Sequence, residues 1–276
     1  MSDFSSLKLD YCLEAGKSIA RHSHQGSVRI LQSLYPEGDL ICHNVLIHPP
    51  GGLVGGDLID IQVNVAEGAQ ALVTTPGATR FYRSEHRPAI QNTHLKLRKG
   101  ARLQWFPLEA IAYDACMGKN HLKIELEPEA EMMGWDVSCL GLPFSGLPFT
   151  RGGYSQHIEF PGIWREHGAL QGDDVRLLNG PCGLAGNRCL AMAFFASGTP
   201  LDRGRRQLAL DAARDILQSH CLAATAGASS PHPQIVVVRV ISPVCEPAMD
   251  LLRGVRAQWL GALWRQMATV PRIWSM

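Results

Sequence analysis

The residues best suited to chemistry lie between His48 and Ser84. The stretch HPPGGLVGGD (His48 to Asp57) resembles a phosphate cradle, because Gly51 and Gly56 match the outer glycines of a GxxxxG loop. Such a loop continues with lysine and a hydroxyl residue, which neutralise phosphate and hold magnesium. Asp57 occupies the lysine position, where a carboxylate repels phosphate. The glycines are better read as a tight backbone crossover. The following TTPGATRFYRS (Thr74 to Ser84) offers hydroxyls, arginines and aromatics. A nucleophilic threonine needs a neighbouring base, and the run contains no His, Asp or Glu. Arg80, Tyr82 and Arg83 instead fit a protein contact patch, since interface hot spots are rich in arginine and tyrosine.

Metal chemistry is weakly signalled. Among eleven histidines, the pair His22 and His24, or Cys42, His43 and His48, come nearest to a ligand cluster, and a carrier that binds a metal ion through Cys42, His43 and His48 is the alternative function. No HExxH, paired CxxC or GxSxG elbow is present, so zinc hydrolysis and serine hydrolysis lack their usual frames. A hydrolase or transferase built around Thr74 or Thr75 would have to borrow its base from elsewhere. The eight cysteines have irregular spacings and read as reduced, small apolar residues in a chain without an export signal.

Positioning these residues falls to a body written mainly with a period of two. Ile59, Ile61, Val63 and Val65 alternate with polar neighbours, as do Leu122, Ile124 and Leu126, which places the apolar set on one face of a strand. Further strands are predicted at 28–34, 44–47, 70–74, 95–97, 102–106 and 132–139. Short glycine and proline turns between them predict a mainly β, α+β fold of many short antiparallel strands. The period changes at 203–222, where Leu208, Ala212, Ile216 and Leu217 share a face, and at 247–268, where Leu252, Val255, Trp259 and Leu263 do. Two α-helices therefore flank the body near its C-terminus, with a loop at 225–233 and a strand at 234–241 between them. With no repeat or linker visible, residues 1–276 read as one domain, its β body about 1–200.

Charge and hydropathy exclude several classes. Lys+Arg 26 against Asp+Glu 25 gives a net charge of +1, with none of the basic excess that nucleic-acid binding requires. The cluster Arg203, Arg205 and Arg206 reads as a solvated helix end. No window reaches the roughly 20 apolar residues of a membrane span, and the first residues lack a signal-peptide pattern. A cytoplasmic protein without membrane or nucleic-acid partners is expected.

With local enzyme signatures absent, the special residues point to partner binding, and here a resemblance enters. HPPGGLVGGD and TTPGATRFYRS resemble the signature of the urease accessory protein family UreD, also called UreH. WFPLEAIAYDA (Trp105 to Ala115), GWDVSCLGLPFSG (Gly134 to Gly146) and PRIW (Pro271 to Trp274) resemble its later motifs in the same order. Leu108, Leu142, Leu147 and Arg80 depart from the family's usual residues. The resemblance implies a non-enzymatic, β-rich scaffold that joins UreF and the GTPase UreG on apo-urease, in complexes with two UreD and two UreF copies. It implies no tightly bound cofactor. Nickel is handled transiently, on its way to the urease active site through a water-filled passage. Transit demands weak, multiple contacts rather than a Cys/His cage, so Asp57, Thr79, Asp136 and Asp173 are the expected passage residues. Arg272 and Trp274 join Arg80, Tyr82 and Arg83 as expected partner contacts.

Overall fold

The computed structural model describes residues 4–275. Along the chain run β1 (Phe4–Glu14), β2 (Lys17–Gln25), β3 (Arg29–Ile30), β4 (Ile41–Ile47), β5 (Leu58–Val65) and β6 (Gln70–Thr74). There follow β7 (Thr79–Phe81), β8 (Ala89–Leu97), β9 (Arg102–Phe106), β10 (Ala110–Ala112), β11 (Cys116–Leu126) and β12 (Glu131–Leu140). The remainder comprises β13 (Gly152–Phe160), β14 (Trp164–Gln171), α1 (Val175–Asn179), β15 (Cys189–Ser197), α2 (Arg203–Ser219), β16 (Ala226–His232), β17 (Ile235–Ser242) and α3 (Cys245–Trp259).

Two mixed sheets face each other. One has the order β14-β13-β11-β8-β5-β1-β2, the other β16-β17-β15-β12-β9-β6-β4-β3. From β4 to β13 the chain winds between them as a solenoid, each coil placing one strand in each sheet. Successive strands of one sheet therefore lie parallel: β4, β6, β9 and β12 on one side, β5, β8, β11 and β13 on the other. β7, β10 and the end of β12 form a short third side, also parallel. Among the described residues the antiparallel ladders lie towards the ends, as in β1/β2, β3/β4, β13/β14 and the β12-β15-β17-β16 run, with an isolated antiparallel bridge between Arg83 and Cys116.

This corrects the expected antiparallel body. Period-two patterning reports only that one strand face is buried, which holds equally for parallel and antiparallel neighbours. Short connections suggested hairpins, but here they cross to the opposite sheet. The coils are also a structural repeat that the sequence hides. Register partners Ile41, Gln70, Arg102 and Glu131 are not evenly spaced, and the residues show no self-similarity.

Between the sheets lies an apolar core that includes Leu9, Val63, Leu95, Leu103, Ile124, Met132, Ile158 and Phe194. A second core covers the outer face of the β12-side sheet, where Trp135, Phe195 and Val238 meet α2 and α3. That sheet is thus buried on both faces, while β5 alternates buried and half-exposed residues because its outer face meets water. α3 buries Leu252, Val255 and Trp259, and Leu263 follows on a short π turn. α2 buries Ala209, Leu210, Ala213 and Leu217, whereas Leu208 is exposed, so its inner face is rotated from the one expected. Arg205 is not merely a solvated helix end: it pairs with buried Glu131, which also accepts a hydrogen bond from the Trp264 indole. The segment read as a loop at 225–233 is the edge strand β16, its register shifting between Ser229 and His232 around Pro231. Proline and half-exposed small residues are tolerated at such an edge.

Candidate functional site

The glycine signature is built as a crossover. Leu53 lies alongside β7, its amide donating to Arg80 O at 2.7 Å and its carbonyl accepting from Tyr82 at 2.8 Å. A methyl group on Gly52 would fall 2.4 Å from the Tyr82 ring, so only glycine permits that approach. Asp57 closes the turn by accepting from the Val54 amide at 2.9 Å. Thr74 and Thr75 are equally structural. The Thr74 hydroxyl donates to Phe106 O at 2.7 Å, and Thr75 Oγ1 accepts from the Leu108 amide at 2.8 Å.

Inside the solenoid the structure aligns polar residues widely separated in sequence. Gln91 on β8 is in register with Asn120 on β11, which is in register with Gln156 on β13. All three face inward, forming an amide ladder along the axis. At roughly 4.8 Å per rung it extends about 10 Å. Gln91 donates to Asn120 at 3.4 Å, and Asn120 donates across the interior to Asp136 at 3.2 Å. Asp136 also accepts from Ser138 at 3.2 Å, and Ser138 lies 3.4 Å from the buried Tyr154 hydroxyl.

Each end of this line opens into a cavity. A cavity of about 190 Å³ is walled by His48, Gly51, Thr75, Thr79, Arg80 and Gln91. One of about 480 Å³ at the other end is walled by Asp136, Ser138, Gln156, Glu166, Met192 and Arg239. Across the second, Arg239 of one sheet donates to Glu166 of the other at 2.6 and 3.1 Å. Asp136 is half-buried, its open side turned to that cavity. Burial lifts its carboxyl from 3.8 to about 6, against the opposing hydrogen bonds of Ser138 and Gln156. The interior thus holds one acid poised near neutrality on a track of amides and hydroxyls, a set of hard oxygen and nitrogen dipoles suited to weak contact with a divalent cation.

The four residues expected to line a passage are not all brought together. Thr79 and Asp136 stand at opposite ends of the polar line. Asp57 sits in the rim turn, and Asp173 is exposed just before α1, whose N-cap is Asp174. The ladder residues Gln91, Asn120 and Gln156 were missed, because strand partners 29 and 36 residues apart give no local signal.

Of the expected contact residues, Arg80, Arg83 and Arg272 are exposed, and Tyr82 leans on Tyr113 with ring centroids 5.0 Å apart. Trp274 is turned inward on its own sheet. Its indole donates to Thr74 Oγ1 at 2.8 Å, and it packs 5.0 Å from Trp135. The alternative ligand set does not converge. Alternation along β4 puts buried Cys42 on the inner face beside Asn44, while His43 faces out and meets Glu37 at 2.9 Å. His48 bonds Ser27 at 3.0 Å.

Comparison with known proteins bears on this arrangement. A family model described as UreD urease accessory protein matches residues 5–275. The chain is 57% identical over 272 residues to "Urease accessory protein UreD" of a Polaromonas species, covering 99% of each chain. It is 57% identical to the protein of that name in Albidiferax ferrireducens over 276 residues, the whole of both. With the Methylibium petroleiphilum protein of that name the identity is 45% over 271 residues, 94% of this chain and 92% of that one.

Proposed function

The chain belongs to the UreD family of urease accessory proteins, and we propose that it serves urease maturation as a scaffold whose interior conducts nickel to the apo-enzyme. The observation that carries this reading is the polar line from Thr79 and Gln91 through Asn120 to Asp136, with a cavity at each end.

A route for Ni²⁺ must compensate lost hydration at each step without holding the ion. Amides and hydroxyls do the first, and a single carboxylate near half-ionisation adds attraction. Thiolate or imidazole cages would bind too tightly, given the high place of Ni²⁺ in the divalent affinity order. Thr79 stands at one mouth and Asp136 at the other. Asp57 acts by holding the rim turn. In this reading the partners are UreF, the GTPase UreG and apo-urease, with two copies each of this chain and UreF. Exposed Arg80, Arg83 and Arg272 are assigned to contact with them, and the setting is cytoplasmic. Among the described residues no helix is long and apolar enough to cross a membrane.

The test is reconstituted activation of apo-urease with UreF and UreG, reading urease nickel content and activity while this protein's assembly is checked by size-exclusion chromatography. Asp136→Ala and Gln91→Leu should assemble normally and deliver less nickel. Full nickel loading with both variants would overturn the conduit. Failure of the unaltered chain to assemble would overturn the scaffold.

A further inference from the structure

Three cysteines scattered through the sequence meet on the far side of β12 from the polar line. Cys139 lies near the end of β12 on its helix-facing side, and Cys189 opens β15 directly opposite it. Cys245 is the first residue of α3. The three sulfur atoms all lie within 4.8 Å of one another. They border a cavity of about 170 Å³ whose wall also carries Glu109, Arg188 and Glu246. Among the described residues, no other group of three His, Cys, Asp or Glu side chains brings its ligand atoms this close.

We propose that Cys139, Cys189 and Cys245 form a binding site for one thiophilic d¹⁰ cation. Zn²⁺ would be held four-coordinate with the Glu109 carboxylate completing the set, and Cu⁺ three-coordinate by sulfur alone. Zinc–sulfur bonds of about 2.3 Å in a tetrahedron put neighbouring sulfurs about 3.8 Å apart. With every sulfur pair within 4.8 Å, side-chain adjustments of at most about 1 Å reach that spacing. No redox step is involved: each thiol releases its proton to solvent as its sulfur–metal bond forms. Because each thiol must lose its proton to bind, binding should tighten as pH rises.

The site differs from the polar line in place and chemistry. It faces the helices rather than the interior, and soft sulfur retains a metal where oxygen and amide groups release it. Once filled it would tie β12, β15 and α3 together beneath the turn that presents Phe144, which is 88% exposed. Its role is retention of a resident ion, and it does not depend on the nickel route.

The experiment uses the full chain, reduced and stripped of metal under anaerobic conditions. It is titrated with Co²⁺ as a spectroscopic stand-in for Zn²⁺, with Zn²⁺ against a chromophoric chelator, and with Cu⁺ against a Cu⁺-selective chelator. One equivalent of Co²⁺ should give thiolate-to-cobalt charge-transfer absorption that Zn²⁺ abolishes. Cobalt held by the surface row His121, His157 and His167 would give no such band. Cys245→Ser should lose the band and weaken Zn²⁺ at least 100-fold, while exposed Cys221→Ser should change neither. Glu109→Gln should weaken Zn²⁺ about tenfold or more and leave Cu⁺ unchanged if zinc is the resident. Zn²⁺ affinity unchanged by Glu109→Gln, together with tight Cu⁺ retention by the unaltered chain, would assign copper. Absence of charge-transfer absorption in the unaltered protein overturns the proposal even if the cysteine variants fail to fold. So does a Zn²⁺ affinity unchanged in folded Cys245→Ser.

Discussion

Replacing Asp136 by asparagine should stabilise the protein above neutral pH while impairing nickel delivery. The carboxyl titrates near 6 in the folded chain against 3.8 when unperturbed, and burial is the main cause. A folded value above the unfolded one means that folding disfavours the ionised form. The cost is absent well below pH 3.8, grows as pH rises, and is complete above about 6. At 1.36 kcal/mol per pH unit of displacement the full cost is at most about 3 kcal/mol, and about 1 kcal/mol of it is present at pH 4.5. Asparagine has the same shape, still accepts from Asn120, and can donate to Ser138, whose hydroxyl is free to turn. Urea unfolding of both proteins from pH 4.5 to 8 should show the asparagine advantage rising by about 2 kcal/mol across that range. Taking the difference between two proteins cancels carboxylates of the opposite sign, such as Asp114. An advantage that stays flat with pH, or an asparagine variant less stable at pH 8, would refute the burial argument. In activation assays the same variant should load less nickel into urease despite its greater stability. A purely structural role for Asp136 predicts the two readouts to move together.

Other consequences are sharp enough to measure. Gly52→Ala forces a methyl group into the Tyr82 ring at 2.4 Å and should cost about 1–3 kcal/mol in chemical unfolding. Asp114 accepts from the Thr150 and Arg151 amides at 2.8 and 2.9 Å and pairs with the Arg151 guanidinium. Despite the cost of burial those bonds hold its carboxyl well below the usual range, so its contribution is present above pH 3.8 and fades with acidification. Asp114→Ala should therefore lose about 1–3 kcal/mol at pH 7 and less at pH 3. Trp274→Ala should cost about 1–3 kcal/mol by uncovering Trp135 and Phe106, seen as a lower melting temperature. Because Trp274 docks on its own sheet, the folded variant should still capture UreF. Ser138→Cys places a thiol beside Asp136 in the larger cavity and should leave nickel on this chain at the expense of urease. Unchanged activation with no retained nickel would count against the conduit.

What could be read without coordinates was local. Strand faces such as Ile59 to Val65 and the α3 face from Leu252 to Trp259 follow from spacing alone, because period reports burial directly. The glycine crossover was legible because Asp57 cannot serve phosphate. Strand partnership was not legible. Nothing in the residues of β6 says that it lies parallel between β4 and β9, since that depends on connections crossing between sheets. The same blindness hid the Gln91–Asn120–Gln156 ladder and the three-cysteine cluster, both made of residues adjacent only after winding. β1 was overlooked although Leu7, Leu9 and Tyr11 alternate in burial as a strand requires. β14 is absent from the expected strands; its outward residues, Arg165 and His167, are charged or polar. Asp173 was expected from the resemblance, as the match to an acidic position before a strand, and it lies exposed instead of in the interior.

The two candidate metal environments are set apart by the pleat of one strand. β12 turns Asp136 and Ser138 towards the interior and Trp135, Val137 and Cys139 towards the helices. In the two proposals, neighbouring residues of that strand serve opposite demands. A conduit needs ligands that exchange quickly, and a retained ion needs ligands that do not. Because side chains alternate with a strict period of two, a slip of one residue in β12 would bring Cys139 to the interior and send Asp136 into the apolar layer beneath α3. The parallel register with β9 and the antiparallel register with β15 hold β12 from both sides against such a slip. Inward-facing Cys42 and Cys116 belong to no group of three close ligands among the described residues, so neither forms a sulfur cage. On this view the solenoid's proposed contribution to metal handling is geometric: its winding stacks weak ligands along the axis, and its pleat keeps the three-cysteine cluster outside.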